Sequence, residues 1–353
     1  MIRNQKKAGG WRLEAGKDVP RMPGRSCLRP AACGPQPRNQ RGVALITAVL
    51  IVALATILAI SVGFSSFLDQ RRSMNMLSMD QSFEVAMGAE AWAADILRRD
   101  MTGGSKVDDF TEEWATPLPP IPVDGGEIKG RLQDMQGRFN LNTLVKMQDG
   151  VLVKDPDAVE RFKSLLKLLE IEEKWADMLV DWLDTDIDPE FPDGAEDSVY
   201  TTLTPAYRPP NLRITRASEL LALNDFGIER YRKLEPFVTA LPAETPINLC
   251  TAPPEVLDAL TSPDTQEFTL ARENVVEMRK QRCYPTLQEF EAGLDPEQQR
   301  KLSTAKVLAE SSSYFRADIV VSIGTTQFTL YSLLYRASGT NLVRPILRSF
   351  GTP

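Results

Sequence analysis

Residues 40–64 read QRGVALITAVLIVALATILAISVGF, and this stretch decides how the chain is organised. From Val43 to Phe64 it contains no charged residue and presents no polar face. As a helix it would span roughly 33 Å, enough for a bilayer core of about 30 Å. A buried core helix normally keeps a polar stripe, so residues 43–64 predict a transmembrane segment. Charge sets its orientation. Residues 1–42 carry ten Lys and Arg against Glu14 and Asp18, whereas the rest of the chain carries a net −15. By the positive-inside rule the N-terminus is expected in the cytoplasm and the C-terminal body outside it.

The 353-residue chain has no histidine. That excludes Ser-His-Asp and Cys-His catalysis, His-ligated zinc and an imidazole switch near neutral pH. With 42% apolar and 25% charged residues the chain can still build a real core. Its four cysteines are too few for a disulfide scaffold. Cys250 and Cys283 are the pair left once residues 1–42 are set aside; in an oxidising compartment they either pair or stay as two buried thiols.

Beyond the membrane segment the helical pattern continues without proline to Asp100, with Met76, Phe83, Met87, Ala94 and Leu97 at helical spacing. Residues 65–100 thus predict an amphipathic continuation of the same helix. Thr102-Gly103-Gly104 ends it, and a Pro-rich loop follows. Residues 127–132 and 138–144 read as short strands around Gln136-Gly137. Residues 314–323 and 327–336 alternate apolar and polar around Gly324-Thr325-Thr326, which predicts a hairpin. The expected class is α+β: a long N-terminal helix packed on a small antiparallel sheet, with a mainly helical domain inserted into the sheet region. The corresponding divisions are 101–145 for loop and first strands, 146–310 for the insertion and 311–353 for the C-terminal hairpin and tail.

One loop of that insertion is chemically distinctive. Eight carboxylates fall within residues 181–197, interleaved with proline and glycine. Asp at alternate positions lets a curled loop aim several oxygens at one point, as a hard cation such as Ca²⁺ requires. A solvated acidic loop is the plain alternative. Asp184, Asp186 and Asp188 fit the first three ligand positions of an EF-hand, but Pro189 stands where its glycine belongs and Glu196 falls one residue late. No nucleophile or general base accompanies the carboxylates, and no enzyme is expected.

The junction Gln40-Arg41-Gly42|Val43-Ala44-Leu45-Ile46-Thr47 resembles the type IV prepilin signals. In that class an inner-membrane prepilin peptidase cuts after the glycine and the helix stays in the product, which implies a leader of residues 1–42. That leader is long for the class, and Met22 is a second candidate start. Most pilins carry Glu at the fifth mature position, where this chain has Thr47. A carboxylate there is costly in an apolar bundle unless a neighbouring amino terminus neutralises it. A subunit with nothing above it needs no such pair.

That substitution, with GRFNLNTLV (137–145), DWLDTDIDPEFPDGAEDSVY (181–200), ASELLAL (217–223) and INLCTAPPEVLDAL (247–260), resembles the GspK minor pseudopilins of type II secretion systems. The resemblance runs from Gln40 over nearly the whole chain. It implies a subunit at the pseudopilus tip, other minor pseudopilins as partners and contact with secreted proteins. It also implies calcium held by Asp184, Asp186, Glu196 and Asp197, with Asp188 as a further candidate. A second resemblance, of residues 247–290 to the helix-hairpin-helix modules of DNA receptors in competence pili, fails chemically. Where those modules place a Gly-rich hairpin against phosphate, Thr261–Phe268 has no glycine and two acids. Nucleic acid is not an expected partner.

Overall fold

The computed structural model describes residues 41–103, 106–261, 272–337 and 339–352. Of the expected leader only Arg41 and Gly42 fall within them. The chain divides into two compact units, residues 1–67 and 68–353. Helix α1 (Arg41–Thr102) supplies every described residue of the first and opens the second. Its Leu, Ile, Ala and Val run contains no proline to break it. An 18-residue window reaches a mean hydropathy of 3.0 with none of it buried.

In the second unit a five-stranded antiparallel sheet forms from β1 (Ile121–Val123), β2 (Gly126–Asp134), β3 (Tyr314–Ile323), β4 (Thr326–Arg336) and β5 (Val343–Phe350), in that spatial order. The neighbours in space, β2 and β3, are far apart in sequence, so the rest of the domain is inserted between them. The expected hairpin is β3–β4, with Gly324 in the left-handed conformation at its turn. Strand period two sends Phe315, Ala317, Ile319 and Val321 to one face. They join Ala86, Ala93 and Leu97 of α1 in one core. Fully burying a side chain such as Leu97 contributes about 1.5–3 kcal/mol. Glu90 interrupts that apolar face. Burial raises its carboxyl pKa, but hydrogen bonds from Arg348 (2.7 Å) and Ser332 (2.6 Å) outweigh this and hold it below the ordinary value.

The insertion carries α2 (Pro156–Leu168), α3 (Lys174–Leu183), α4 (Asp197–Tyr200), α5 (Gly227–Leu234), α6 (Pro254–Leu260), α7 (Arg272–Met278), α8 (Leu287–Ala292) and α9 (Pro296–Thr304). It builds its own core around Phe139, Phe162, Leu165, Leu179 and Phe226. One expectation fails here. Residues 138–144 do not add a strand to the sheet: Phe139–Asn140 pairs in parallel with Val238–Thr239, and Leu141–Leu144 is a 3-10 turn. The cause is Asn140, whose side chain accepts from the Asn142 N–H and so starts the turn. Of residues 261–268, the stretch set against a DNA-binding hairpin above, only Thr261 falls within the described residues.

Insertion and sheet meet at buried polar side chains. Asn248 donates to Asp134 Oδ2 (2.9 Å), Ser312 Oγ (2.9 Å) and the Asp108 carbonyl (3.0 Å). Thr251 and Ser312 donate to the same Asp134 oxygen at 2.6 and 2.7 Å. Asp108 accepts from the Ser312 N–H at 2.7 Å and pairs with Arg336 at the end of β4. Gly137 permits the close approach, because a Cβ there would sit 2.7 Å from Thr251 Oγ1. Nearby, Cys250 is bonded to Cys283 across a Cα–Cα distance of 4.6 Å.

Because Asn248 serves three acceptors in a buried site, Asn248→Ala should destabilise the protein by about 2–4 kcal/mol. Chemical denaturation of the full chain in detergent measures this, and a loss below about 0.5 kcal/mol would refute the role given to the junction.

Candidate metal centre

Helix α3 forms because Trp175, Met178, Leu179 and Trp182 recur at helical spacing and bury together. The same burial carries Asp181 and Asp184 inward at the helix end, both almost fully enclosed. Asp184 leaves the helix in an extended conformation and starts the acidic loop. Thr185 then ties the loop to residue 152: its N–H donates to the Leu152 carbonyl (3.1 Å) and its Oγ1 accepts from the Leu152 N–H (2.9 Å). Asp186 accepts from the Asp188 N–H at 3.0 Å, which curls the chain. Asp181 is the inner staple, accepting from the Glu190 N–H at 3.0 Å. Lys154 pairs with the Glu190 carboxylate at 2.7 Å from outside.

Gly194 closes the loop. Its N–H donates to the Glu190 carbonyl at 2.7 Å. A Cβ on it would lie 2.3 Å from both Asp181 Oδ2 and the Glu190 nitrogen, so no other residue fits. The chain then places Glu196 at the start of α4, buried beside Asp184. Asp184, Asp186 and Glu196 each offer a carboxylate oxygen, and these oxygens lie within 4.8 Å of one another.

Of the five expected ligands the fold therefore gathers three. Asp188 and Asp197 stand outside the cluster, Asp188 exposed and Asp197 paired with Arg208 at 3.3 Å. Asp181 was not among the expected residues, although its place on the apolar face of α3 was the signal that it is buried. Asp184 Oδ1 and both oxygens of Glu196 are buried with no hydrogen-bond partner. Buried carboxylate oxygens are otherwise satisfied in folded proteins, so these three leave room for a cation. Burial, and then the neighbouring carboxylates, push Asp184 up to about 8 and Glu196 up to about 7. Burial likewise pushes Asp181 up to about 6, against the hydrogen bonds it accepts from Glu190 and Ala195. An all-oxygen, acidic donor set with no nitrogen or sulfur suits a hard cation such as Ca²⁺ better than zinc or copper.

The N-terminal residues belong to the first unit and are described by themselves. Gly42 and Val43 lie in the first turn of α1, and Val43 is exposed. The Thr47 hydroxyl donates to the Ala44 carbonyl at 3.0 Å, so it is satisfied within its own helix.

Comparison with known proteins places the chain. Residues 137–243 match the family described as type II secretion system, protein K. The chain is similar to type II secretion system protein K of Pseudomonas aeruginosa, 37% identical over 89% of this chain and 94% of that protein. The protein of the same name from Aeromonas hydrophila is 33% identical over 88% of this chain and 97% of that one. A crystal structure of the GspK-GspI-GspJ complex from enterotoxigenic Escherichia coli contains a chain of the same fold, with a TM-score of 0.70. That match covers 80% of this chain and 100% of the other at 24% identity.

The raised carboxyls set the pH dependence. Between the ordinary carboxylate range and about 8, the folded protein holds protons at Asp184 that the unfolded chain has released. Without a cation, stability therefore falls as pH rises from about 5 to 8. Thermal unfolding in excess chelator should show that fall, and calcium should remove it. Asp184→Asn should abolish the calcium-induced shift yet melt higher than wild type in chelator at pH 8. Identical melting curves with chelator and with calcium would rule the centre out.

Proposed function

This chain belongs to the type II secretion system protein K family, and we propose that it works as a minor pseudopilin at the tip of the secretion pseudopilus. In this reading the apolar run Val43–Phe64 anchors it in the inner membrane by a single pass, with its N-terminus in the cytoplasm and its body in the periplasm. A prepilin peptidase removes residues 1–42 after Gly42. The mature helix packs with those of other minor pseudopilins, in keeping with the named partners of the E. coli relative. The body initiates or caps the filament that exports proteins across the outer membrane, and meets those secreted proteins. It performs no catalysis.

The observation that carries this reading is Thr47. An internal filament subunit profits from a carboxylate at this depth, because the amino terminus of a neighbour neutralises it. Thr47 closes its one hydroxyl on its own backbone and asks nothing of a neighbour. The insertion between β2 and β3 supports the same place, since a body of that size obstructs a subunit stacked above it. Calcium, if bound by Asp184, Asp186 and Glu196, holds the outer loop in shape and takes no part in chemistry.

In cells that make the whole secretion system, the mature chain should begin at Val43 by intact mass. It should co-purify with the other minor pseudopilins from detergent-solubilised inner membrane. Gly42→Ala should retain the leader and lose that association. A processed Gly42→Ala variant, or a mature wild type that brings down no pseudopilin, would overturn the assignment.

A further inference from the structure

A cavity lies on the insertion, and none of its lining residues belongs to the acidic loop. It has a volume of about 540 Å³ and is walled by the turn after Phe139, by α2 and by residues 243–247 and 305–307. Four cations line it, Lys146, Arg161, Arg213 and Lys306, against two carboxylates, Asp155 and Glu244. In a body whose net charge beyond residue 42 is −15, a pocket with an excess of positive charge is an exception.

Three of the four cations are not consumed by the protein. Lys146 pairs with Asp155 at 3.6 Å, and Asp155 also caps α2 by accepting from the Ala158 N–H at 3.2 Å. Arg161, Arg213 and Lys306 have no hydrogen bond or ion pair from their side chains among the described residues. Arg213 Nε is buried with no acceptor. Burial also lowers the Arg161 pKa, with Asp155, Asp157 and Glu160 opposing that from a distance. The position of Arg213 is fixed by its neighbour: Asn142 accepts from the Ile214 N–H and donates to the Ile214 carbonyl, both at 2.9 Å. An unpaired guanidinium on a clamped backbone has N–H donors to offer an anion.

The lining also says what kind of anion fits. Phe139, Val145, Ile247 and Val307 give the cavity an apolar floor beside its cations. Inorganic phosphate makes no use of such a floor, and the acidic body opposes a long polyanion. A chain end combines one carboxylate, an apolar side chain and peptide N–H groups that Glu244 can accept. We infer that this cavity binds the C-terminal carboxylate of a polypeptide whose last side chain is apolar, with Arg213 and Arg161 receiving the carboxylate.

The test uses the full chain in detergent with calcium and a fluorescein-labelled peptide, Gly-Ser-Ala-Ala-Leu, with a free C-terminus. Anisotropy should show saturable binding that weakens about tenfold or more on amidation of the peptide, and equally in Arg213→Gln or Arg161→Gln. Binding should also fall as salt rises from about 50 to 500 mM, whereas Lys280→Gln, at an exposed ion pair elsewhere, should bind as wild type does. Amidation needs no variant and so stands even where a substitution disturbs folding. Absence of saturable binding, equal binding of the amidated peptide, or displacement by inorganic phosphate at the peptide's own concentration would each overturn the inference.

Discussion

Asp134 and Asp108 are buried where the insertion meets the sheet, and the whole second unit depends on their being satisfied. Burial raises the Asp134 pKa, yet Ser312, Thr251 and Asn248 side chains and the Gln136 N–H all donate to its carboxylate. Asp108 is met by Arg336 and by the Ser312 N–H. Apart from the Gln136 N–H, the donors come from the segment before α6 and from the start and end of the β3–β4 hairpin, so the hydrogen bonds join parts of the chain far apart in sequence. A network of this kind fixes one arrangement because any slip would orphan several groups at once.

The acidic loop poses the same problem and answers it differently. Asp184 and Glu196 are as deeply buried as Asp108, but no Arg, Ser or Asn reaches their inner oxygens. A further acidic group, Asp100, Asp108 and Glu112, makes the contrast plain: its carboxylates also crowd together, and Arg336 sits among them. One cluster carries its own cation as a side chain. The other has the geometry to take one from solution, and Gly194, Asp181 and Lys154 shape the loop around that space.

Period and charge made much of this legible in the sequence. The uninterrupted apolar run to Phe64 and the alternation of residues 314–336 each allow one structure. Strand β5 was hidden by Pro345 and by Arg344 and Arg348, residues an edge strand tolerates and a pattern search discounts. Phe139–Leu144 alternates like a strand, but its asparagines bond backbone instead. In the acidic loop the density of carboxylates pointed to a hard cation; which of them face inward depends on burial by α3 and on the staple from Asp181, and neither is local. Arg161 and Arg213 come from separate segments, so the fold alone brings them to one cavity.

The protein is a type II secretion system family member with one long apolar helix and an inserted body whose Asp184, Asp186 and Glu196 carboxylates converge. The most direct measurement is calorimetric titration of the full chain with calcium in buffers of different ionisation heat, which counts protons released per ion bound. With Asp184 near 8 and Glu196 near 7, one calcium should displace about one to two protons at pH 7 and almost none by about pH 9.5. No calcium binding, or binding without proton release at pH 7, would contradict it.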